Sequence, residues 1–199
     1  MSSASRENKS FCSVSETPIV QGFADGGQQA GWNQKLAGGN PELQLETLLE
    51  ISKHSNVSGV SELIVELAGS RIDSLRTAAA QSLESSVQPT LAEVPALMVC
   101  LTDRLDGEIS YWAATLLGRL GQQAVVATPA LCGCLEGSLF LPARERAAWA
   151  LLKIGPAANE AIPALRSVCE SAPARLQKLC QEAINAIGTD SSVVKRRAA

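Results

Sequence analysis

The sequence contains little of what catalytic sites are built from. Aromatic residues make up only 4% of the 199 residues, and there is one histidine, His54, in the stretch SKHSN. A Ser-His-Asp or Cys-His arrangement would have to centre on His54, and nothing around it supports one. The sequence therefore predicts that the chain is not an enzyme, and that His54 lies near a helix C-terminus or faces solvent.

Long apolar runs and a strong charge of either sign are also missing. The longest uninterrupted apolar run, residues 94–101, is far too short to span a membrane, and the first 20 residues show no apolar core of a signal peptide. The net charge is −3, from 17 basic and 20 acidic residues. We therefore expect neither nucleic acid nor a membrane as partner, and a cytoplasmic location.

Patterns that bind metals or cofactors are absent from the sequence as well. Cys132 and Cys134, in CGC, would diverge by about 200° on a helix, whereas zinc sites use Cys-x₂₋₄-Cys pairs. Four of the six cysteines occupy positions where a helix favours a small apolar residue, namely Cys100, Cys134, Cys169 and Cys180. Free thiols in a reducing compartment fit this pattern, and no metal or cofactor is predicted.

What the chain does contain is a repeat. The tripeptide Pro-Ala-Leu begins at Pro95, Pro129 and Pro163, which are 34 residues apart. The segments that precede these prolines align without a gap: RTAAAQSLESS (76–86), SYWAATLLGRL (110–120) and RERAAWALLKI (144–154). Paired alanines let helices approach closely, and a proline begins the second helix after a short turn. The pattern predicts an all-α fold, an α-solenoid of helix pairs with a 34-residue period.

The repeat divides the chain into three parts. Residues 1–40 hold six glycines and six serines without sustained periodicity, and are predicted to be a disordered arm. Residues 41–188 are predicted to form four helix pairs and a terminal half-repeat, with Asn40 as the first N-cap and Pro41 at the first helical position. Residues 189–199 are predicted to be a short, frayed tail.

The stretch RAAWALLKIGPAANEAIPAL (146–165) resembles a HEAT-like repeat of the short type found in phycobilisome-lyase subunits. The resemblance is strongest over 73–188, and it implies a right-handed superhelix that binds another protein. It also implies an alternative, a lyase-like subunit or bilin-binding chaperone that acts with a partner chain. The iron site of the HEAT-like deoxyhypusine hydroxylases needs several His-Glu pairs, which this chain lacks.

A further alternative follows from the end of the predicted repeat. The half-repeat at 177–188 shows no obvious polar cap, and an uncapped solenoid end favours stacking. The chain would then be a structural solenoid that caps a larger assembly or oligomerises within it.

Outward-facing aromatic residues indicate one candidate binding surface. A helical wheel places Trp112 and Trp149 on the side of the first helices away from the buried stripe, together with Arg119 and Lys153. Tryptophans beside cations are typical of binding hot spots. The alternative is that both tryptophans pack along the seam between repeats.

The second candidate surface is the exposed face of the second helices. Asp103, Glu136 and Glu170 line it among small residues and predict an acidic groove. A phosphate backbone would be repelled there, because binding it requires lysine and arginine. We therefore expect a protein partner, neutral or basic if it occupies this groove, whose identity the sequence does not reveal.

Overall fold

Helices make up the regular structure of the residues described. The computed structural model describes residues 26–102 and 106–197, with side chains over 27–102 and 106–188. Its α-helices are α1 (Gly26–Ala37), α2 (Pro41–Ile51), α3 (Ser61–Ala68), α4 (Asp73–Ser85), α5 (Val94–Thr102), α6 (Gly107–Leu120), α7 (Thr128–Gly137), α8 (Leu141–Ile154), α9 (Ile162–Ser171) and α10 (Ala174–Arg197). The predicted all-α class is confirmed for these residues, which form no β-strand.

The helices follow one another at regular intervals. Helices α4, α6 and α8 begin 34 residues apart, and so do α5, α7 and α9, each of which follows a short 3₁₀ segment. On one side of the molecule α6 packs against α8, and α8 against α10; on the other, α5 packs against α7, and α7 against α9. Each of the helices α5, α7 and α9 also packs against the helix that follows it in the chain. We call the side formed by α4, α6, α8 and α10 the first-helix side, and the exposed surface of α5, α7 and α9 the second-helix face.

The positions that the repeat predicted as core are fully buried. Nine aligned positions have no exposed area: Ala79, Ala113, Ala147, Leu83, Leu117, Leu151, Leu97, Leu131 and Leu165. The alanines allow neighbouring helices to approach, and each buried leucine contributes about 1.5 to 3 kcal/mol by leaving water. The same three positions, one alanine and two leucines, therefore contribute to the core of each of these three units.

Helix ends follow the predicted local chemistry. Asn40 is the N-cap of α2, since its side-chain oxygen accepts hydrogen bonds from the amides of Glu42 at 3.0 Å and Leu43 at 3.3 Å. Gly121 and Gly155 follow α6 and α8 with φ of +58° and +69°, a region that side chains strain. The predicted N-cap is confirmed.

Helix α1 lies where the sequence analysis placed disorder. It packs against α2 and α3, and buries Trp32 and Leu36, each 2% exposed. The Gln44 side chain donates a buried hydrogen bond to the Leu36 carbonyl at 2.7 Å, and the Trp32 ring meets His54 edge-on at 5.3 Å. The prediction of a disordered arm over 1–40 is therefore wrong for residues 26–37, while residues 1–25 lie outside those described.

The last helix also differs from its prediction. Helix α10 runs over Ala174–Arg197, which includes much of the segment predicted to fray. Its exposed side carries polar residues: Lys178 pairs with Glu182 at 3.9 Å, and the Gln181 amide donates to Asn185 at 3.0 Å. The described side chains of α10 thus include polar residues on its exposed side.

Hydrogen bonds join the first two predicted units. The Ser82 hydroxyl donates to the Leu48 carbonyl at 3.3 Å. The Glu93 carboxylate accepts bonds from the Ser61 amide at 2.8 Å and from the amide and hydroxyl of Thr90, both at 2.8 Å. Polar contacts therefore supplement apolar packing between units and help to set their register.

Candidate functional site

The two tryptophans predicted to face outward lie in different environments. Trp112, on α6, is only 5% exposed and meets the Tyr111 ring edge-on at 5.1 Å. It is buried because neighbouring helices cover α6 on several sides. The prediction that Trp112 belongs to a binding surface is therefore wrong, and its contribution is to the core.

Trp149, on α8, is half-buried, and one edge of its ring lies against α6. Gly118 makes room for that edge, because a Cβ atom there would lie 2.3 Å from Trp149 Cζ3. The rest of the side chain borders the surface between α8 and α10. Trp149 thus combines packing in the seam with access to solvent.

Two cations lie over aromatic rings at this surface. The Arg146 guanidinium is 5.0 Å from the Tyr111 ring centre and 5.5 Å from that of Trp149, and its Nη2 donates to the Tyr111 hydroxyl at 2.8 Å. Lys153 Nζ is 5.7 Å from the Trp149 ring centre. These distances fall within the range of cation–π attraction, which holds Arg146 and the two rings together.

The cluster borders a cleft of about 450 Å³, which we call the Trp149 cleft. Apolar surface comes from Tyr111, Trp149 and Leu179, contributed by α6, α8 and α10 respectively. Two carboxylates in its lining are already paired: Glu145 with Arg175 at 3.1 Å, and Glu182 with Lys178 at 3.9 Å. Its volume falls within the roughly 300–1,000 Å³ typical of ligand sites.

Tyr111 and Arg146 were not identified as candidates from the sequence. Arg146 precedes Trp149 by three residues, so the two side chains share a helix face. That spacing was a usable signal. The position of Tyr111 gave no such signal, because its partner Arg146 lies 35 residues away on the next helix of the first-helix side.

Arg119 has a structural task that the sequence did not reveal. Its guanidinium donates to backbone carbonyls at the end of α4: Leu83 at 2.6 Å, Val87 at 3.1 Å and Glu84 at 3.4 Å. Burial, followed by repulsion from Arg146, lowers the pKa of Arg119. These hydrogen bonds join α6 to the end of α4. Arg119 therefore stabilises the fold and is not part of the proposed binding surface.

We expect Arg119→Met to lower the free energy of unfolding by about 1 to 2 kcal/mol, because the half-buried guanidinium is removed and three carbonyl oxygens lose their hydrogen-bond donor. Lys153→Met is the matched control: Lys153 occupies the equivalent position one repeat later, is exposed, and makes no hydrogen bond among the described residues. It should change stability by less than about 0.5 kcal/mol. Urea unfolding followed by circular dichroism measures both; equal losses would contradict the role of Arg119.

The second-helix face holds the other candidate residues. Glu136 on α7 and Glu170 on α9 are exposed, while Asp103 lies outside the described residues. A smaller space of about 220 Å³ between α5 and α7 is lined mainly by small residues, among them Gly133 and Gly137. The face therefore offers two exposed carboxylates and a small space with no aromatic side chain in its lining.

Three thiols are held in the protonated form. Burial raises the pKa of Cys132, Cys134 and Cys180 to about 11 each, and the carboxylates of Glu136 and Glu160 contribute at Cys132. Within 27–102 and 106–188, no three His, Cys, Asp or Glu side chains form a group that could hold a metal ion.

These thiols predict a loss of stability at alkaline pH. The unfolded chain releases thiol protons near the ordinary pKa of 9.0, before the folded chain does. The free energy of unfolding should therefore be constant with respect to these groups below pH 9 and fall as the pH rises from 9 to 11. Urea titrations across this range measure the slope, and a variant with alanine at all three positions should show a shallower one. An unchanged slope in that variant would contradict the prediction.

Comparison with known proteins does not assign a function to the site. No family model matches this chain, and a search of the curated proteins finds no match. No helix among the described residues has the length and apolar character needed to cross a membrane. The function is therefore inferred from the contacts and charges of the Trp149 cleft.

Proposed function

We propose that residues 41–188 form an α-solenoid of HEAT-like helix pairs with a 34-residue period. The equal spacing of α4, α6 and α8, and of α5, α7 and α9, supports this proposal. The packing of α6, α8 and α10 in succession, and of α5, α7 and α9 in succession, supports it as well. In such an array each unit buries its apolar surface against its neighbours, and residues of successive units line continuous surfaces.

The function we propose is that of a non-catalytic protein-binding module, a scaffold or adaptor, whose partner occupies the Trp149 cleft. The observation that carries the proposal is the assembly of Tyr111, Arg146 and Trp149 from successive helices of the first-helix side, with Leu179 of the next helix beside them. Tryptophan, tyrosine and arginine are the residues most enriched at binding hot spots. The thiols of Cys132, Cys134, Cys169 and Cys180 are not joined in disulfides, which supports a cytoplasmic location for this module.

The cleft is a better candidate than the second-helix face because aromatic side chains and a cation line it, whereas no aromatic side chain lines the space between α5 and α7. Glu136 and Glu170 are exposed charges, and such charges at an interface affect association rates more than affinity. Aromatic rings and an aliphatic side chain in a cleft supply the apolar contact from which affinity arises.

Affinity capture from native lysate tests the proposal with three baits: the full chain, an Arg146→Met/Trp149→Ala variant, and a Glu136→Gln/Glu170→Gln variant. We expect a specific protein to bind the full chain and the Glu136→Gln/Glu170→Gln variant, and not to bind the Arg146→Met/Trp149→Ala variant. The melting temperature of each bait serves as the folding control.

Two outcomes would contradict this assignment. A partner lost only from the Glu136→Gln/Glu170→Gln bait would place the binding site on the second-helix face. Failure of the folded full chain to retain any specific protein would count against a binding module.

A further inference from the structure

The cations around Trp149 are not neutralised within the protein. Among the described residues, the ion pairs use Arg76, Arg175 and Lys178, and none involves Arg146 or Lys153. Arg119 lies close enough to Arg146 for the two guanidinium groups to repel each other. Because both cleft carboxylates, Glu145 and Glu182, are already paired, the cleft keeps an excess of positive charge.

The surroundings of Arg146 increase the effect of this charge. Its guanidinium lies within 5.5 Å of the centres of both the Tyr111 and Trp149 rings, and it donates one hydrogen bond to a described side chain, the Tyr111 hydroxyl. A partly desolvated guanidinium forms stronger hydrogen bonds with a carboxylate than an exposed one does, since water competes less. Arg146 is thus a preorganised hydrogen-bond donor for an anionic group beside apolar surface.

The rest of the molecule restricts which anion fits. The net charge of the chain is −3. Arg146 in the cleft lining and Lys153 beside Trp149 are too few cations to bind an extended phosphate backbone tightly. A short segment with one or two carboxylates and a neighbouring apolar side chain matches both the charge and the Leu179 and Trp149 surface of the cleft.

We infer that the Trp149 cleft binds an acidic peptide segment of a partner protein, in which a carboxylate contacts Arg146 and an adjacent apolar side chain packs against Trp149 and Leu179. This inference rests on the proposed function and adds the chemistry of the partner. Lys153, beside Trp149, attracts a second carboxylate of the same segment.

The test is selection of a random 12-residue peptide library on the full chain, followed by affinity measurements on the enriched peptides. The inference requires enriched peptides that contain Asp or Glu next to an apolar residue. Their affinity should fall at least tenfold when the carboxylates become amides, and at least tenfold for Arg146→Met. Lys153→Met should weaken binding less, and Arg146→Lys, which keeps the charge, should recover part of the loss.

The outcomes separate the inference from the proposed function. Enriched peptides that need Trp149 but bind equally well as amides, or that are basic, would overturn the inference and leave the binding module standing. Failure to enrich any peptide that depends on Trp149 or Arg146 would overturn both. Melting temperatures of the variants within a few degrees of that of the full chain ensure that lost binding reflects the cleft.

Discussion

Replacement of Trp112 by alanine is expected to lower the free energy of unfolding by about 3 to 5 kcal/mol. Its side chain is 5% exposed and lies within α6, which contacts α3, α5 and α8. Removal of the indole leaves a cavity that these helices cannot fill without moving, and it removes the edge-on contact with Tyr111 at 5.1 Å.

Trp149→Ala is the matched comparison, because this tryptophan is half-buried and borders the cleft. The substitution should lower the free energy of unfolding by roughly 1 to 2 kcal/mol, because folding removes less apolar area of Trp149 than of Trp112 from water. Chemical unfolding of both variants measures the two losses. A larger loss for Trp149 than for Trp112 would contradict the assignment of Trp112 to the core and Trp149 to the surface.

Replacement of Gly118 by alanine should destabilise the protein by about 2 to 3 kcal/mol, although alanine is the better helix former. The new Cβ would lie 2.3 Å from Trp149 Cζ3 and 3.1 Å from Ala150 Cα. The ring must leave the seam or α6 and α8 must separate, and either movement alters the cleft.

A control and a double variant show whether contact with Trp149 causes the destabilisation by Gly118→Ala. Gly133→Ala is the control, because it lies within α7 and its added Cβ would meet nothing within 4 Å; it should stabilise the protein by about 0.5 to 1 kcal/mol. In a Trp149→Ala background, Gly118→Ala should be neutral within about 1 kcal/mol, a coupling that urea unfolding measures. Destabilisation that persists in that background would mean that the clash is not with Trp149.

The repeated core was predictable because its signal is local. Alanine and leucine recur at fixed positions, and the residues so identified, such as Ala113 and Leu117, are fully buried. The exceptions lie where the repeat stops. Helix α1 carries only Trp32 and Leu36 as large apolar residues among glycines and polar residues, too weak a periodic signal to predict a helix that neighbouring helices stabilise.

The candidate site was only partly predictable because a helical wheel represents one helix without the helices that pack against it. It shows which way Trp112 points from its own helix and not that other helices cover that direction. Arg119 and Lys153 occupy equivalent positions, and the sequence treats them alike. Only the structure shows that Arg119 meets the carbonyls of Leu83 and Val87 while Lys153 remains exposed beside Trp149.

The most direct test of the binding module uses the three tryptophans as built-in reporters in a ¹⁵N nuclear magnetic resonance spectrum of the full chain. Trp32 lies under α1, Trp112 in the core and Trp149 at the cleft. On addition of the captured partner or a selected acidic peptide, the indole N–H resonance of Trp149 should shift while those of Trp32 and Trp112 stay in place. An unchanged Trp149 resonance, with shifts instead at the amides of Gly133 and Gly137, would contradict the proposed cleft and place the interaction on the second-helix face.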